Sequence, residues 1–448
     1  MKKGFFVAFV MIALASNICA IDTKTVQNGV SYLLYESPLR AVVYEVPNKE
    51  EVSIPSEINH KGIILPVVRV YYGAFKGCRD MTSLTLPEAI TEIGDYAFEE
   101  CESLESLDIP NGVVKIGRGA FDRCDNLRTI SLGKSIKDFD ISSLRNRSSL
   151  VSVKVDDDNQ FFSSEKGVLF NKDKSKLLIY PKAKSARTYD IPVGVREITN
   201  NAFSYCHNLI EVVIPEGVET IGEFAFCDCY KITSITIPSS VTSLRYNAFR
   251  DCSGLKTVVW NAKKCQSPKG YVDGAPFPEP TSFIFGDEVE SIPSQLCYRM
   301  KLSSIVLPNG LKEIGDDAFA ECKLLVSIKL PANLETIGNR AFSMCKKITY
   351  VKIPNSVKII GSNAFSWCDN LKSVQIGTGV KRIGKGAFDD CILLKSIICL
   401  ATTPPDMLPH ESVYDNVSSV QVPSGCVDGY KDAEGWNGFK KISVIVNQ

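Results

Sequence analysis

The sequence predicts a repeat solenoid, an α/β coil of short parallel strands and compact returns that grows by stacking turns. Three observations carry this. The string Ala-Phe-x-x-Cys recurs with Phe at 75, 98 and 121, then 203, 226 and 249, then 319, 342, 365 and 388, and within each group the step is 23 residues. A fixed period of this size marks stacked arrays. Before each string, residues such as Leu107 and Ile109 alternate with Ser106 and Asp108, a strand with one buried face. Finally, 448 residues exceed what one hydrophobic core supports, and about three globular domains would be expected without the repeat; stacking removes that limit.

Taken in order, the chain opens on Lys2 and Lys3, an apolar run from Phe5 to Ala15, and Ile18-Cys19-Ala20 with a small residue at a cleavage point. Residues 1–20 therefore read as a secretory signal. The run is short for a membrane span, which needs about 20 apolar residues. Asn17-Ile18 lacks the small residue expected before a lipidated Cys19, which argues against a lipoprotein. No later stretch reads as a transmembrane segment. Residues 21–69 follow as an N-terminal cap, with strands expected at 29–35, 41–46, 52–55 and 63–66.

The array proper is expected over 70–400. In one repeat, Leu104, Leu107, Ile109, Val113, Ile116, Ala120, Phe121 and Cys124 point inward. Pro110 ends the strand because it offers no N–H to a ladder, and an irregular or short-helical return carries Ile116-Gly117 and Ala120-Phe121. Ten cysteines sit three residues after the repeat Phe, so they read as a column of buried thiols, with disulfides between turns as the alternative.

The pattern Leu-x-x-Ile-x-Ile-Pro-x-x-Val-x-x-Ile-Gly-x-x-Ala-Phe-x-x-Cys, held from about Val70 to Leu400, resembles the BspA-like (treponemal-type) leucine-rich repeat of bacterial surface antigens. The resemblance implies a right-handed array with the strands on a concave face. It also implies an adhesin-like role toward a protein partner, a host matrix protein or another bacterial surface protein, with a glycan as the other ligand class. It places the chain outside the cell or at its surface, the periplasm being the other compartment. A structural or accessory envelope component without a host ligand is the alternative function.

The repeat falters twice. Leu144 and Arg147 stand in the Phe and Cys sites of one turn, and residues 156–181 form an insert with a hairpin around Asn171-Lys172-Asp173, familiar from the same family as a variant repeat. Asp156-Asp157-Asp158-Asn159 lacks the spaced ligands and glycine of a calcium loop and reads as a solvated turn. Residues 261–297 form a degenerate repeat without the Ala-Phe signature, in which Cys297 has slipped from the column. Residues 401–448 read as a C-terminal cap: a last strand at Val420-Gln421-Val422, then Tyr430, Trp436 and Phe439, with Trp436 filling the end of the core. A Tyr-Trp-Phe tail of this kind also closes arrays of the family it resembles.

Chemistry is sparse. His60, His207 and His410 are scattered and lack zinc-binding spacing. There is no nucleophile elbow and no phosphate-binding glycine loop. Glu99, Glu100 and Glu102 fall at exposed turn positions without an acid–base partner. No catalytic, cofactor or metal residue is expected, and the chain is read as a non-enzyme. Charges balance at 51 basic and 51 acidic residues, with mean hydropathy +0.01, so no global field favours nucleic acid. What remains is the outward side of the strands, mostly Ser and Thr. The richest cluster there is Lys329, Tyr350 and Lys352 with Gln375, the candidate partner-binding residues. Trp367, on the opposite turn, is expected to pack between repeats.

Overall fold

The computed structural model describes residues 21–145, 149–266, 276–408 and 411–445. The signal segment with Cys19, Arg147, His410 and part of the degenerate repeat lie outside the described residues. The chain divides into two compact units, Met1–Ser185 and Ala186–Gln448. Each is a parallel-strand coil built on the 23-residue step.

Most turns contribute two strands rather than the single one expected, while residues 304–306 and 327–329 follow the repeat path without forming the first. The first is the Leu–Ile strand. In the first unit Thr129–Leu132 pairs in parallel with Ser106–Asp108 and with Ser152–Val155. The second is a two-residue strand at the Ile-Gly site, where Lys115 and Ile116 pair with Glu92 and Ile93 on one side and with Asp138 and Phe139 on the other. The glycine after it is required by close approach. A Cβ on Gly361 would lie 2.4 Å from the carbonyl carbon of Gly338, whose own Cβ would lie 2.6 Å from that of Gly315. The third side is a tight turn rather than a helix. It is tied to its neighbour by backbone bonds such as Phe98 N–H to Ala120 O at 2.8 Å. Among the described residues, helices are confined to Ser142–Arg145, Glu411–Asn416 and Val427–Asp432, and no helix is long and apolar enough to cross a membrane.

The first unit opens with β1 (Ile21–Gln27), β2 (Val30–Glu36) and β3 (Leu39–Glu45), an antiparallel meander. Next come β4 (Glu51–Ser53), β5 (Glu57–His60) and β6 (Ile63–Val70). β3 pairs in parallel with β6, and β6 with Glu92–Ile93, so this sheet runs straight into the Ile-Gly ladder. The insert holds the hairpin expected at 171–173. A second one, Phe162–Glu165 against Val168–Asn171, was not foreseen. Asn159, read as part of a solvated turn, is buried instead. Its amide donates to Gly133 O and Ile136 O at 2.9 and 3.1 Å, and its oxygen accepts the N–H groups of Phe161 and Phe162 at 2.8 Å. A buried amide with all its capacity used locks the insert onto the preceding turn.

The core is columnar. In the second unit Phe203, Phe226 and Phe249 stack at 4.8 and 4.9 Å, and Phe319, Phe342, Phe365 and Phe388 stack at 5.3, 5.2 and 5.7 Å. The degenerate repeat keeps this column by substitution. Phe277 stacks on Phe249 at 4.8 Å, and Pro276 O takes the Phe249 N–H as the repeat Ala would. One turn later Cys297 occupies the Phe site itself, its N–H on Ala318 O, with Met300 in the Cys site. Among the described residues the cysteine column is one of thiols, and none of the fifteen described cysteines is in a disulfide. Cys345 donates to Phe319 O at 3.2 Å and Cys368 to Phe342 O at 3.3 Å, a bond repeated from turn to turn. At the C-terminal end Tyr430 and Trp436 are buried edge to face at 4.9 Å. The indole N–H donates to Pro405 O at 2.9 Å.

Candidate recognition surface

With both ladders and the Phe turn consumed by packing, side-chain freedom is left at outward positions. The strand face of the second unit places the four candidate residues together. Tyr350 and Lys352 are the outward residues of one strand, and Lys352 lies opposite Gln375 in the parallel register. The Tyr350 hydroxyl donates to Gln375 Oε1 at 3.0 Å, which fixes the ring and leaves the Gln375 amide protons to a partner. Lys329 occupies the position of Lys352 one turn earlier and is likewise exposed.

Charge on this face is segregated. The strands Thr188–Asp190 and Glu211–Val213 carry Asp190 and Glu211. From Ser234 to Val422 no strand segment of the face carries a carboxylate, while Lys256, Lys329, Lys352, Lys372 and Lys395 are exposed on it or at its near edge. Among the described residues Lys329, Lys352 and Lys372 enter no ion pair. Elsewhere some charges are closely paired. Glu100 bridges Arg79 at 2.9 Å and Arg123 at 2.7 Å, which hold its carboxyl below the usual range. Glu99 meets Lys76 at 2.8 Å. Neither acid is the free turn carboxylate that the sequence suggested.

Sequence reasoning missed the apolar part of the same face. Val306 is 84% exposed and Ile284 49%, both in the row that continues into Lys329 and Lys352. Their signal was legible as aliphatics at positions the alternation assigns to solvent. Trp367, expected to pack between repeats, is instead 48% exposed, on a left-handed residue of the Phe turn.

Other features are self-satisfied. A groove of about 700 Å3 on the Ile-Gly side is lined by Lys263, Glu290, Lys312, Glu335 and Lys358, whose signs alternate. Glu290 there meets Lys312 at 3.1 Å and Lys264 at 3.3 Å, and these push its carboxyl down to about 2. His207 packs 4.6 Å from the Tyr230 ring, and His60 ends β5. No group of His, Cys, Asp or Glu among the described residues could hold a metal ion.

Stacked parallel strands, an inward Leu/Ile/Phe/Cys ladder and an open strand face define a leucine-rich-repeat solenoid. The chain belongs to the BspA-type leucine-rich-repeat family, whose model matches residues 52–175, 179–269 and 290–403. No curated protein matches it. Among solved structures it is similar to a leucine-rich repeat protein from Bacteroides ovatus at 25% identity, over 96% of this chain and all of that one, with a TM-score of 0.53. A leucine-rich cell surface protein from Faecalibacterium prausnitzii matches at 23% identity over 95% and 96% of the two chains, with a TM-score of 0.35. The pneumococcal vaccine antigen PcpA matches at 17% identity over 95% and 100%, with a TM-score of 0.31.

Proposed function

We propose that this chain is an exported, non-enzymatic recognition protein that offers the strand face of its second unit to a protein partner at the cell surface. The observation that carries the reading is the outward cluster of Lys329, Tyr350, Lys352 and Gln375, on a face that packing does not need. Aromatic and basic side chains concentrate binding energy at interfaces. Export rests on the charged and apolar composition of residues 1–20. The non-enzymatic part of the reading rests on the candidate cluster, which holds no carboxylate, histidine or thiol.

The test is protease shaving of intact native cells, with a periplasmic protein as the protected control. Loss of this chain while the control survives is the expected result. Protection until lysis would sink the surface reading in favour of an internal envelope component.

A further inference from the structure

We infer that the partner of this face is an extended protein segment, aliphatic in one half and acidic in the other, lying across the successive turns from Val259 to Lys352. The inference rests on the reading that the strand face of the second unit is the recognition surface, and it names what that surface takes.

The parallel register aligns the two ends of the outward row. Val259 lies opposite Ile284, and Lys352 opposite Gln375. By the repeat step Val306 and Lys329 fill the two turns between. A single row thus reads Val259, Ile284, Val306, Lys329, Lys352, Gln375 and changes from aliphatic to basic between Val306 and Lys329. Beside the change lies Val326, itself 51% exposed. Neither half is explained by folding. An aliphatic side chain exposed to the extent of Val306 contributes nothing to the core. Unpaired lysines repel one another on strand segments that carry no carboxylate from residue 234 to residue 422. A second basic pair, Lys372 and Lys395, lies one position before the strands that follow.

Charge complementarity therefore calls for carboxylates on the lysine half, and the valine and isoleucine row calls for aliphatic contacts on the other. A sulfated polysaccharide would satisfy the first and waste the second. A basic segment would be repelled. Neighbouring strands lie about 4.8 Å apart, so the four steps from Val259 to Lys352 span about 19 Å, and an extended chain at about 3.3 Å per residue covers that in about six residues. Tyr350, held by Gln375, stands on the basic half beside Lys352.

The experiment pans a random dodecapeptide display library on the full chain. Enriched peptides are then synthesised and titrated by fluorescence anisotropy against the wild type, Lys329→Glu/Lys352→Glu and Val306→Ser. These substitutions are at exposed positions, and unchanged melting temperatures confirm intact folds. We expect enriched peptides that combine aliphatic residues with Asp or Glu. Their affinity should fall about tenfold or more in the double lysine variant, since each exposed pair contributes up to about a factor of five. It should fall severalfold with Val306→Ser. Enrichment of neutral or basic peptides, or affinities untouched by both variants, overturns the partner chemistry while leaving recognition by the chain standing. Binding of heparin that is lost in the lysine variant but indifferent to Val306→Ser, with no acidic peptide enriched, overturns it in favour of a polyanionic glycan. A library from which nothing enriches overturns both this inference and the peptide-recognition reading beneath it.

Discussion

Replacing Phe342 by leucine separates ring stacking from burial. Phe342 is fully buried between Phe319 at 5.3 Å and Phe365 at 5.2 Å, with interplanar angles of 5° and 9°. Leucine keeps the site apolar and nearly filled, leaving a small cavity that costs about 0.5 kcal/mol. Each lost aromatic pair costs about 0.5–1.5 kcal/mol beyond area, so the two together cost about 1–3 kcal/mol. The expected total is about 1.5–3.5 kcal/mol. Phe121 supplies the internal control, because it stacks only on Phe98, at 5.7 Å and 6°, and meets Phe139 edge-on at 6.5 Å and 85°. Phe121→Leu should cost about 1 kcal/mol less. Because solenoid energies are nearest-neighbour terms, the assay is urea unfolding combined with hydrogen exchange at the Phe319 and Phe342 amides. These amides donate to Ala341 O and Ala364 O at 2.8 Å. Protection should fall in the turns around residue 342 and persist elsewhere. A Phe342→Leu chain within about 0.3 kcal/mol of wild type, or one no weaker than Phe121→Leu, would refute stacking as the column's source of energy.

Four further outcomes follow from the same geometry. With no disulfide among the described cysteines, excess reductant should leave the melting temperature unchanged; a drop of several degrees would reveal cross-links worth about 2–4 kcal/mol each. Burial pushes the Cys78 thiol up to about 11 and Cys322 to about 12, so iodoacetamide at pH 8 should label partly exposed Cys426 quickly and the ladder only after denaturation. Trp260 and Trp436 are fully buried while Trp367 is not, so acrylamide should quench one emitting component, and Trp367→Phe should remove it. Glu290, held at about 2 by Lys312 and Lys264 against an ordinary 4.5, contributes stability that is complete above pH 4.5 and lost as pH falls through 2. Carboxyl NMR titration should find the depressed value, and Glu290→Gln should flatten the acid limb of the stability curve.

The sequence was most legible where a residue faces its own equivalents. A Phe, Cys, Leu or Ile in the core of a stack meets the same residue one turn above and below, so packing repeats the letter and the period exposes it. It was less legible where backbone geometry alone matters. The Ile-Gly strand is two residues long, too short for alternation to register, and only the glycine betrays the close approach of successive chains. Substitution within a site hid other features. Phe277 keeps the ring column because Pro276 can offer the same carbonyl as alanine, and Cys297 keeps the backbone bonds of a turn whose ring it replaces. Asn159 was masked by its acidic neighbours, since nothing in Asp156-Asp157-Asp158 announces that the next side chain turns inward to four backbone partners.

The outward rows differ in kind. An inward position is constrained by its neighbours in the stack, but an outward one on the strand face meets only solvent or a partner. Serine and threonine there, as at Ser304, Ser327 and Ser373, are what a solvated strand accepts. The fold does not ask for Val306 at 84% exposure, nor for three lysines without a counter-ion within three turns of it. Such residues are neutral or mildly unfavourable to the isolated chain. Their placement in one register-aligned row, with the hydroxyl of Tyr350 already committed to Gln375, is the part of this molecule that stability leaves unaccounted for. A partner whose chemistry changes from aliphatic to acidic over the same distance would account for both halves at once.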